Sequence, residues 1–425
     1  MSENEINLTE ELNRSIRRQV ITSILMLVLL ILVTTGFVLY GMGYRLNFTA
    51  KNTPILAHTG ILNAQSTPTG AQVWVDGHLT TATNNTVNLT PDKYSITIVK
   101  DGYMPWKKDV MIEDQVVSNV NARLFPQAPT LQSISSVGIS NPVLDPSGTK
   151  IAFTIASQSA SKNGIYVLNM TSQNFPVLPL QSSSTQIADE ANSIPFSQAK
   201  LSWSPDGQQI LASVSATPTQ PAAVYLLQAD QMNATPQDVT ATLPSVEANW
   251  QTLENQQDKA RLAALKPSVR HLLTHFNIIS WSPDGTKILY QAKDNYTLPI
   301  IIQPRRIGNN LLYEQRDLQK NSIYVYDITE DVNTRVLNYS PVACDMTNKD
   351  CHVPLTWFPD SYHLIYVYDK KINIVEDDGS NMTTIYAGPF VGNYAFPWPD
   401  GSKLVILTNL GNTSIQPTLY TIGLQ

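Results

Sequence analysis

From residue 20 to residue 40 the chain reads VITSILMLVLLILVTTGFVLY, an apolar run without a single charged side chain. At about 1.5 Å of rise per residue it spans a hydrocarbon core of roughly 30 Å, and a helix satisfies every backbone amide internally, as a bilayer demands. The pattern predicts a transmembrane helix over residues 20–40. A cleaved signal peptide would carry a shorter apolar region, about 7–15 residues, followed by a small-residue cleavage site. Neither is evident, which favours an uncleaved signal anchor. Arg14, Arg17 and Arg18 precede the run, and only Arg45 and Lys51 follow it closely. Positive-inside bias then places residues 1–19 in the cytoplasm and everything after about Gly41 outside. The tail reads as a short amphipathic helix, with Thr9 placed to cap it before Glu10 and Glu11.

Beyond a linker over residues 41–58 the pattern changes to alternation. Gly60 to Ser66, Ala71 to Val75, Tyr94 to Val99, Trp106 to Ile112 and Val116 to Leu124 read as strands. Asp76-Gly77 and Asp101-Gly102 supply tight turns between them. Period-2 patterning with frequent turns predicts a compact antiparallel β-sandwich over residues 59–126. The stretch Ser66-x-Pro68-x-Gly70-Ala71-x-Val73-x-Val75-Asp76-Gly77, with Lys100-Asp101-Gly102-Tyr103-x-Pro105-Trp106, resembles a PEGA domain. Thr69 stands where that family has Glu, and Asp92-Lys93-Tyr94 replaces Pro-Gly-Tyr; both departures fall in turns. The resemblance implies a non-catalytic module exposed in a bacterial envelope. Trp74, Tyr103 and Trp106 could stack on a sugar or peptide, but such residues more often cap the core of a small sandwich.

Residues 127–425 are organised by a repeat. Trp203-Ser204-Pro205-Asp206-Gly207 recurs as Trp281-Ser282-Pro283-Asp284-Gly285. Weaker copies are Asp145-Pro146-Ser147-Gly148, Phe358-Pro359-Asp360-Ser361 and Trp398-Pro399-Asp400-Gly401. Each precedes an apolar strand, and the Ser-Pro-Asp-Gly core is turn chemistry: Pro presets φ, and Gly accepts positive φ at the fourth position. Ser361 in place of Gly predicts a strained fourth copy. The turn accounts for Asp145, Asp206, Asp284, Asp360 and Asp400 without metal or acid–base chemistry. These repeats resemble the TolB-type β-propeller motif; five copies suggest five blades, or six if one has lost its signature. Residues Thr130 to Ser135 are placed to supply a partner strand to the last blade and close the ring.

One stretch breaks the β pattern. Residues 244–276 read as a helical insertion, with Val246, Trp250, Leu253, Ala260 and Ala264 on one apolar face. Pro267 ends the first helix, and Ser268 is placed to cap a shorter one through His275. The insertion is not required for ring closure and would pack over the propeller or face a partner.

Composition narrows the function. Charged residues make up 15% of the chain and the net charge is −6, which argues against a nucleic-acid binder. Cys344 and Cys351 lie close enough for a disulfide in an oxidising compartment. His271 and His275 have the i, i+4 spacing of a helical zinc pair but lack the H-E-x-x-H pattern. Glu376-Asp377-Asp378-Gly379 resembles a calcium loop only superficially and reads as a hairpin turn. No nucleotide-binding glycine loop, nucleophile elbow or metal-spaced cysteine cluster occurs, so no catalytic residue, metal or cofactor is expected. Two domain types that commonly recognise ligands, behind a membrane tether, point to an envelope binding or scaffold protein whose partner is a peptide, glycan or protein. The alternative is a propeller-type glycoside hydrolase with carboxylates converging on the axis, for which Asp189, Glu190 and Glu314 are candidates. Transmembrane sensing is a third reading, limited by the short tail to a docking peptide.

Overall fold

The computed structural model describes residues 3–41, 45–48, 54–57, 59–135, 137–156, 159–171, 184–190, 193–215, 222–338 and 354–425. Cys344 and Cys351, and with them the expected disulfide, lie outside the described residues. The chain is mainly β and divides into two compact units. The first holds Met1–Ile98, Asp109–Ala122 and Ile307–Leu312; the second holds Val99–Lys108, Arg123–Arg306 and Tyr313–Gln425.

The first unit opens with helix α1, Glu3–Gly41. Its stretch Arg17–Gly41 is long and apolar enough to cross a membrane, and none of it is buried against protein. Two hydroxyls in that stretch return to the helix: Thr22 donates to the Arg18 carbonyl at 2.8 Å and Thr34 to the Leu30 carbonyl at 2.7 Å. No polar side chain at these positions then needs water. The segment 41–58, expected to be a linker, contains two short strands, β1 (Arg45–Phe48) and β2 (Pro54–Ala57), paired antiparallel.

The sandwich follows. A three-stranded sheet carries Asn85–Leu89, Gly60–Thr67 and Val117–Arg123 in spatial order, and a four-stranded sheet carries His78–Ala82, Gln72–Val75, Asp92–Val99 and Trp106–Ile112. Strict alternation aims Leu62, Ala64, Val73, Val75, Ile96, Ile98, Val110, Ile112, Val120 and Ala122 inward, all of them buried. The strands His78–Ala82 and Asn85–Leu89 were not anticipated, and neither contains a buried residue.

Five four-stranded antiparallel sheets make up the second unit's propeller. Blade 1 holds Ser140–Leu144, Lys150–Ile155, Gly164–Asn169 and Ser184–Asp189, and blade 2 holds Lys200–Trp203, Gln209–Val214, Ala223–Gln228 and Gln237–Asp238. Blade 3 holds Phe276–Trp281, Lys287–Ala292, Ile323–Asp327 and Val332–Leu337. Blade 4 holds Leu355–Trp357, His363–Tyr368, Lys371–Glu376 and Thr383–Tyr386. Blade 5 takes Ala395–Pro397, Lys403–Thr408 and Thr418–Gly423 from the chain's end, and its fourth strand, Leu131–Ser133, from its beginning. Leu131 pairs with Ile422 and Ser133 with Tyr420, so the ring closes through the stretch the sequence suggested. Closure of this kind removes an open sheet edge.

Apolar clusters join blade 1 to blade 2, blade 5 to blade 1, blade 4 to blade 5 and blade 3 to blade 4. Among the described residues no cluster joins blade 2 to blade 3. Instead, the outer face of blade 2 (Leu211, Val224) is covered by Val239, Leu243, Val246 and Trp250. The corresponding face of blade 3 (Ile288, Tyr290, Tyr324, Tyr326) is covered by Leu265, Val269, Leu272, Leu298 and Leu318. The insertion therefore packs on the propeller at the joint between two blades, one of the two placements the sequence left open.

Its first helix, α2, is Leu243–Ala264, and its second, α3, is Pro267–Leu272. Val246, Trp250 and Leu253 are half-buried as expected, but Ala260 and Ala264 are exposed, so the apolar stripe fades along α2. Lys266 occupies the cap of α3 without a side-chain bond and Pro267 begins the helix, so Ser268 is not the cap.

Gly164 gives a sharp test of the blade geometry. Its φ is +133°, and a Cβ there would lie 2.0 Å from the Ala188 carbonyl oxygen on the neighbouring strand. Gly164→Ala should lower stability by about 3 kcal/mol, combining backbone strain with overpacking against a fixed carbonyl. Chemical denaturation of the purified protein measures it.

Candidate functional site

The five repeat turns occupy residues 145–149, 204–208, 282–286, 358–362 and 398–402, each joining the first and second strands of a blade. They share one bonding scheme. The amides of Gly148, Gly207, Gly285, Ser361 and Gly401 donate to the carbonyls of Asp145, Ser204, Ser282, Phe358 and Trp398 at 2.8–3.1 Å. The donating position has positive φ in every copy, from +62° at Ser361 to +72° at Gly285, which glycine tolerates and serine does not readily. The hydroxyl of Ser361 accepts the Asp284 amide at 3.2 Å, a bond between adjacent blades that glycine could not make.

The turn carboxylates are consumed locally. Asp145 accepts the amides of Thr149 at 2.7 Å and Lys150 at 2.6 Å, and Asp206 accepts the Ser204 hydroxyl at 2.5 Å and the Gln208 amide at 3.1 Å. Asp284 accepts the Ser282 hydroxyl at 2.6 Å and the Thr286 amide at 3.0 Å, and Asp400 the Ser402 amide at 2.8 Å. In the last two copies the aromatic residue takes the place of the serine itself, so Phe358 and Trp398 are buried in the turn. The Trp203 indole N–H reaches across to the Val143 carbonyl of blade 1 at 3.0 Å.

Arg123 ties two turns together. Its guanidinium donates to the Gly401 carbonyl at 2.6 Å, lies 3.7 Å from Asp360 and covers the Phe358 ring at 4.7 Å. Burial alone would raise the Asp360 carboxyl, but His363, the Tyr362 amide and Arg123 outweigh it and hold the group below the usual carboxylate range. Its contribution to stability is present above the ordinary Asp value and is lost as pH falls through the lower folded one. Arg123→Leu should cost about 2–3 kcal/mol at neutral pH, since charge-assisted bonds are removed from both turns, and thermal melts should show the difference from wild type narrowing in acid.

A second charged cluster surrounds the turn after Lys371–Glu376. The Lys108 ammonium lies 2.6 Å from Glu376 and 2.5 Å from Asp378. Glu376 also accepts the Trp106 indole N–H and the Asn381 amide, the latter at 3.0 Å. Trp106 is therefore buried and bonded, and Tyr103 is half-buried in a bridge with Pro126; neither stands out as a platform. Trp74 is half-buried, with its indole N–H directed to Gln72 at 3.3 Å. Lys287, buried in blade 3, lies 2.5 Å from Asp377, which outweighs burial and keeps the ammonium protonated. Met104, Pro105, Trp106, Arg123, Phe125 and His363 line a small pocket whose polar groups are already engaged with one another.

The acids named for a glycosidase do not converge. Asp189 ends the fourth strand of blade 1, and neighbouring Glu190 accepts the Ser197 amide at 3.0 Å and Asn163 at 3.1 Å. Glu314 is held by Arg305 at 2.6 and 2.8 Å and by Arg316 at 2.6 Å, next to the fourth strand of blade 3. The first strands of blades 1 and 2 touch, which sets first strands toward the axis. No first strand, Ser140–Leu144, Lys200–Trp203, Phe276–Trp281, Leu355–Trp357 or Ala395–Pro397, contains an aspartate or glutamate. His271 is exposed, while His275 stacks on Tyr296 at 3.7 Å and lies 3.0 Å from Asp294. Among the described residues no group of His, Cys, Asp or Glu could hold a metal ion.

Antiparallel neighbours reverse direction, so the repeat turns and the third-to-fourth connections emerge at one end of the propeller. Blade-to-blade connections emerge at the other, including 239–275 and 387–394. This loop end carries exposed apolar side chains on blades 4 and 5: Tyr368 (52%), Val391 (38%), Leu410 (53%) and Ile415 (53%). The connections that bear Val391 and Leu410 are bonded to each other, Val391 N–H to the Leu407 carbonyl at 2.8 Å and Thr408 hydroxyl to the Pro389 carbonyl at 2.5 Å. A fixed apolar surface rimmed by polar loops is suited to recognition rather than chemistry. Sequence reasoning missed it because Leu410 and Ile415 are isolated apolar residues in polar loops.

No curated protein matches the chain. Among solved structures, TolB of Agrobacterium tumefaciens is 16% identical over 67% of this chain and 78% of its own, with a TM-score of 0.22. TolB of Acinetobacter baumannii is 14% identical over 78% of this chain and 60% of its own, also at 0.22. An acylaminoacyl peptidase of Pyrococcus horikoshii is 12% identical over 68% of this chain and 39% of its own, at 0.18. The chain thus spans less than two thirds of the latter two, and TM-scores this low carry no argument. The sandwich is different: residues 59–128 match the family model of the PEGA domain.

Proposed function

We propose that the chain is a single-pass membrane protein, with its N-terminus cytoplasmic, that holds a PEGA-type sandwich and a five-bladed propeller outside the membrane as a binding scaffold. The observation that carries the reading is the division of labour between the two ends of the propeller. Both ends expose apolar side chains, Tyr362 and Met382 among the turns and Tyr368, Val391, Leu410 and Ile415 among the loops. At the loop end, however, the connections that bear Val391 and Leu410 are bonded to each other, whereas the polar groups of the repeat turns are spent on one another. The PEGA match and the asymmetry of Arg14, Arg17 and Arg18 against Arg45 and Lys51 support the placement outside. The partner is an envelope protein or glycan that meets the loop end.

The test is in-cell photocrosslinking with a benzophenone amino acid at Leu410 or Ile415 on the loop end and at Ser147 on the turn end. Discrete adducts from the loop-end positions alone are expected. Equal adducts from Ser147, or none from either end under conditions that capture known envelope contacts, would overturn the reading.

A further inference from the structure

Two connections meet on blade 5 at the loop end, and neither carries a charge. Residues 387–394 read AGPFVGNY and residues 409–417 read NLGNTSIQP. The hairpins equivalent to 409–417 include Lys162 in blade 1 and Asp369 and Lys370 in blade 4. The Val391 amide and the Thr408 hydroxyl bond the two neutral connections into one surface, on which Val391 and Leu410 are exposed.

Fixed rings stand on this surface. Phe390 and Tyr394 are half-buried, Phe390 against the cluster between blades 4 and 5 and Tyr394 against that between blades 5 and 1. Phe390 lies 6.3 Å from the Tyr386 ring, and Tyr394 lies 5.9 Å from that of Phe396. Gly392, at φ +63°, packs bare backbone on Tyr394; a Cβ there would come within 2.8 Å of the ring. The second connection supplies oriented donors. Asn409 Oδ1 accepts the Gly411 amide at 3.1 Å, and Asn412 Oδ1 accepts the Ser414 amide at 3.0 Å. Each side-chain amide is thereby fixed, and among the described residues neither Nδ2 has an acceptor of its own.

We propose that the blade 5 loop surface, with the Phe390 and Tyr394 rings and the Asn409 and Asn412 amides, binds an uncharged glycan. The proposal rests on the loop end as the recognition surface and names what it recognises. A protein partner ordinarily sets register and encounter rate by matching charge to charge, and these connections offer it none. A neutral glycan needs none. The C–H faces of its sugar rings pack on aromatic side chains, and its hydroxyl or acetamido oxygens accept from amide N–H groups.

The test titrates the full-length protein in phospholipid nanodiscs with laminarin, dextran, galactomannan and hexameric N-acetylglucosamine. Saturable binding of at least one is expected, with Kd changed less than about twofold from about 0.1 M to about 1 M NaCl, because no ion pair is screened. Tyr394→Ala and Asn412→Ala should each weaken it about tenfold, the loss of one good contact. Asn412 is exposed, so its variant keeps the fold even if Tyr394→Ala does not. Binding that salt abolishes, or that Asn412→Ala leaves unchanged, overturns the proposal. Failure to bind any of these glycans, while a photocrosslinker at Leu410 still captures a protein, also overturns it and leaves the loop-end reading standing. Neither glycan binding nor crosslinks would remove both.

Discussion

Lys108→Met should lower the stability of the protein by about 3–5 kcal/mol at neutral pH, the usual cost of leaving buried charges without their partner. The Glu376 and Asp378 side chains are only 9% and 11% exposed, and the ammonium of Lys108 lies within 2.6 Å of both. Methionine preserves the length of the stem and much of its packing, so the loss reports charge rather than volume. In the native protein burial alone would raise the Asp378 carboxyl, but Lys108 and Ser380 outweigh it and keep the group below its ordinary range. Its stabilising contribution is therefore present above the ordinary Asp value and fades as pH falls through the lower folded one. In Lys108→Met the sign reverses: without its counter-charge the buried Asp378 carboxyl takes up a proton more readily when folded, so the penalty should shrink in acid. The triple variant with Glu376→Gln and Asp378→Asn should recover most of the loss, since neutral amides need no counter-charge. Urea unfolding at neutral and acidic pH separates these outcomes. An unchanged midpoint in Lys108→Met would show that solvent already screens the cluster.

Leu272→Ala tests the role assigned to the insertion. Leu272 is fully buried in the cluster that covers Tyr290, Tyr324 and Tyr326 on blade 3. Emptying that position should cost about 2–5 kcal/mol, the range for a large-to-small change in a packed core. Ala260→Glu on the exposed part of α2 should change stability by no more than about 0.5 kcal/mol, as surface substitutions do. An insertion that merely rested on the propeller would tolerate both. A pair of differential-scanning melts distinguishes the cases, with a lowered main transition expected only for Leu272→Ala.

Much of this architecture was legible from local pattern. The Ser-Pro-Asp-Gly turns were readable because proline, aspartate and glycine each answer a backbone requirement within four residues, and the structure uses Gly207 and Gly285 at positive φ in that way. The closing strand was readable because a ring needs a partner for its last blade. Elements whose reasons are non-local stayed hidden. His78–Ala82 and Asn85–Leu89 contain no buried residue and so lack a buried-face alternation. The β1 and β2 strands have four residues each, too few for a period to stand out. Ala260 and Ala264 continue the apolar spacing of α2 past the point where blade 2 is there to receive it. The wedge between blades 2 and 3 depends on Leu265, Val269 and Leu272 meeting tyrosines that lie on distant strands. Lys108 drew no notice in the sequence, because its carboxylates lie more than 260 residues further along the chain.

Lysine labelling on spheroplasts with a membrane-impermeant amine reagent, read by peptide mass spectrometry, bears directly on where the propeller resides. Lys259 and Lys266 are exposed on the insertion and need no substitution to serve as reporters. Modification of both in intact spheroplasts, with a cytoplasmic control protein untouched, is the outcome expected of a propeller held outside the membrane. Labelling of these lysines only after lysis would contradict the topology, and with it the envelope partner.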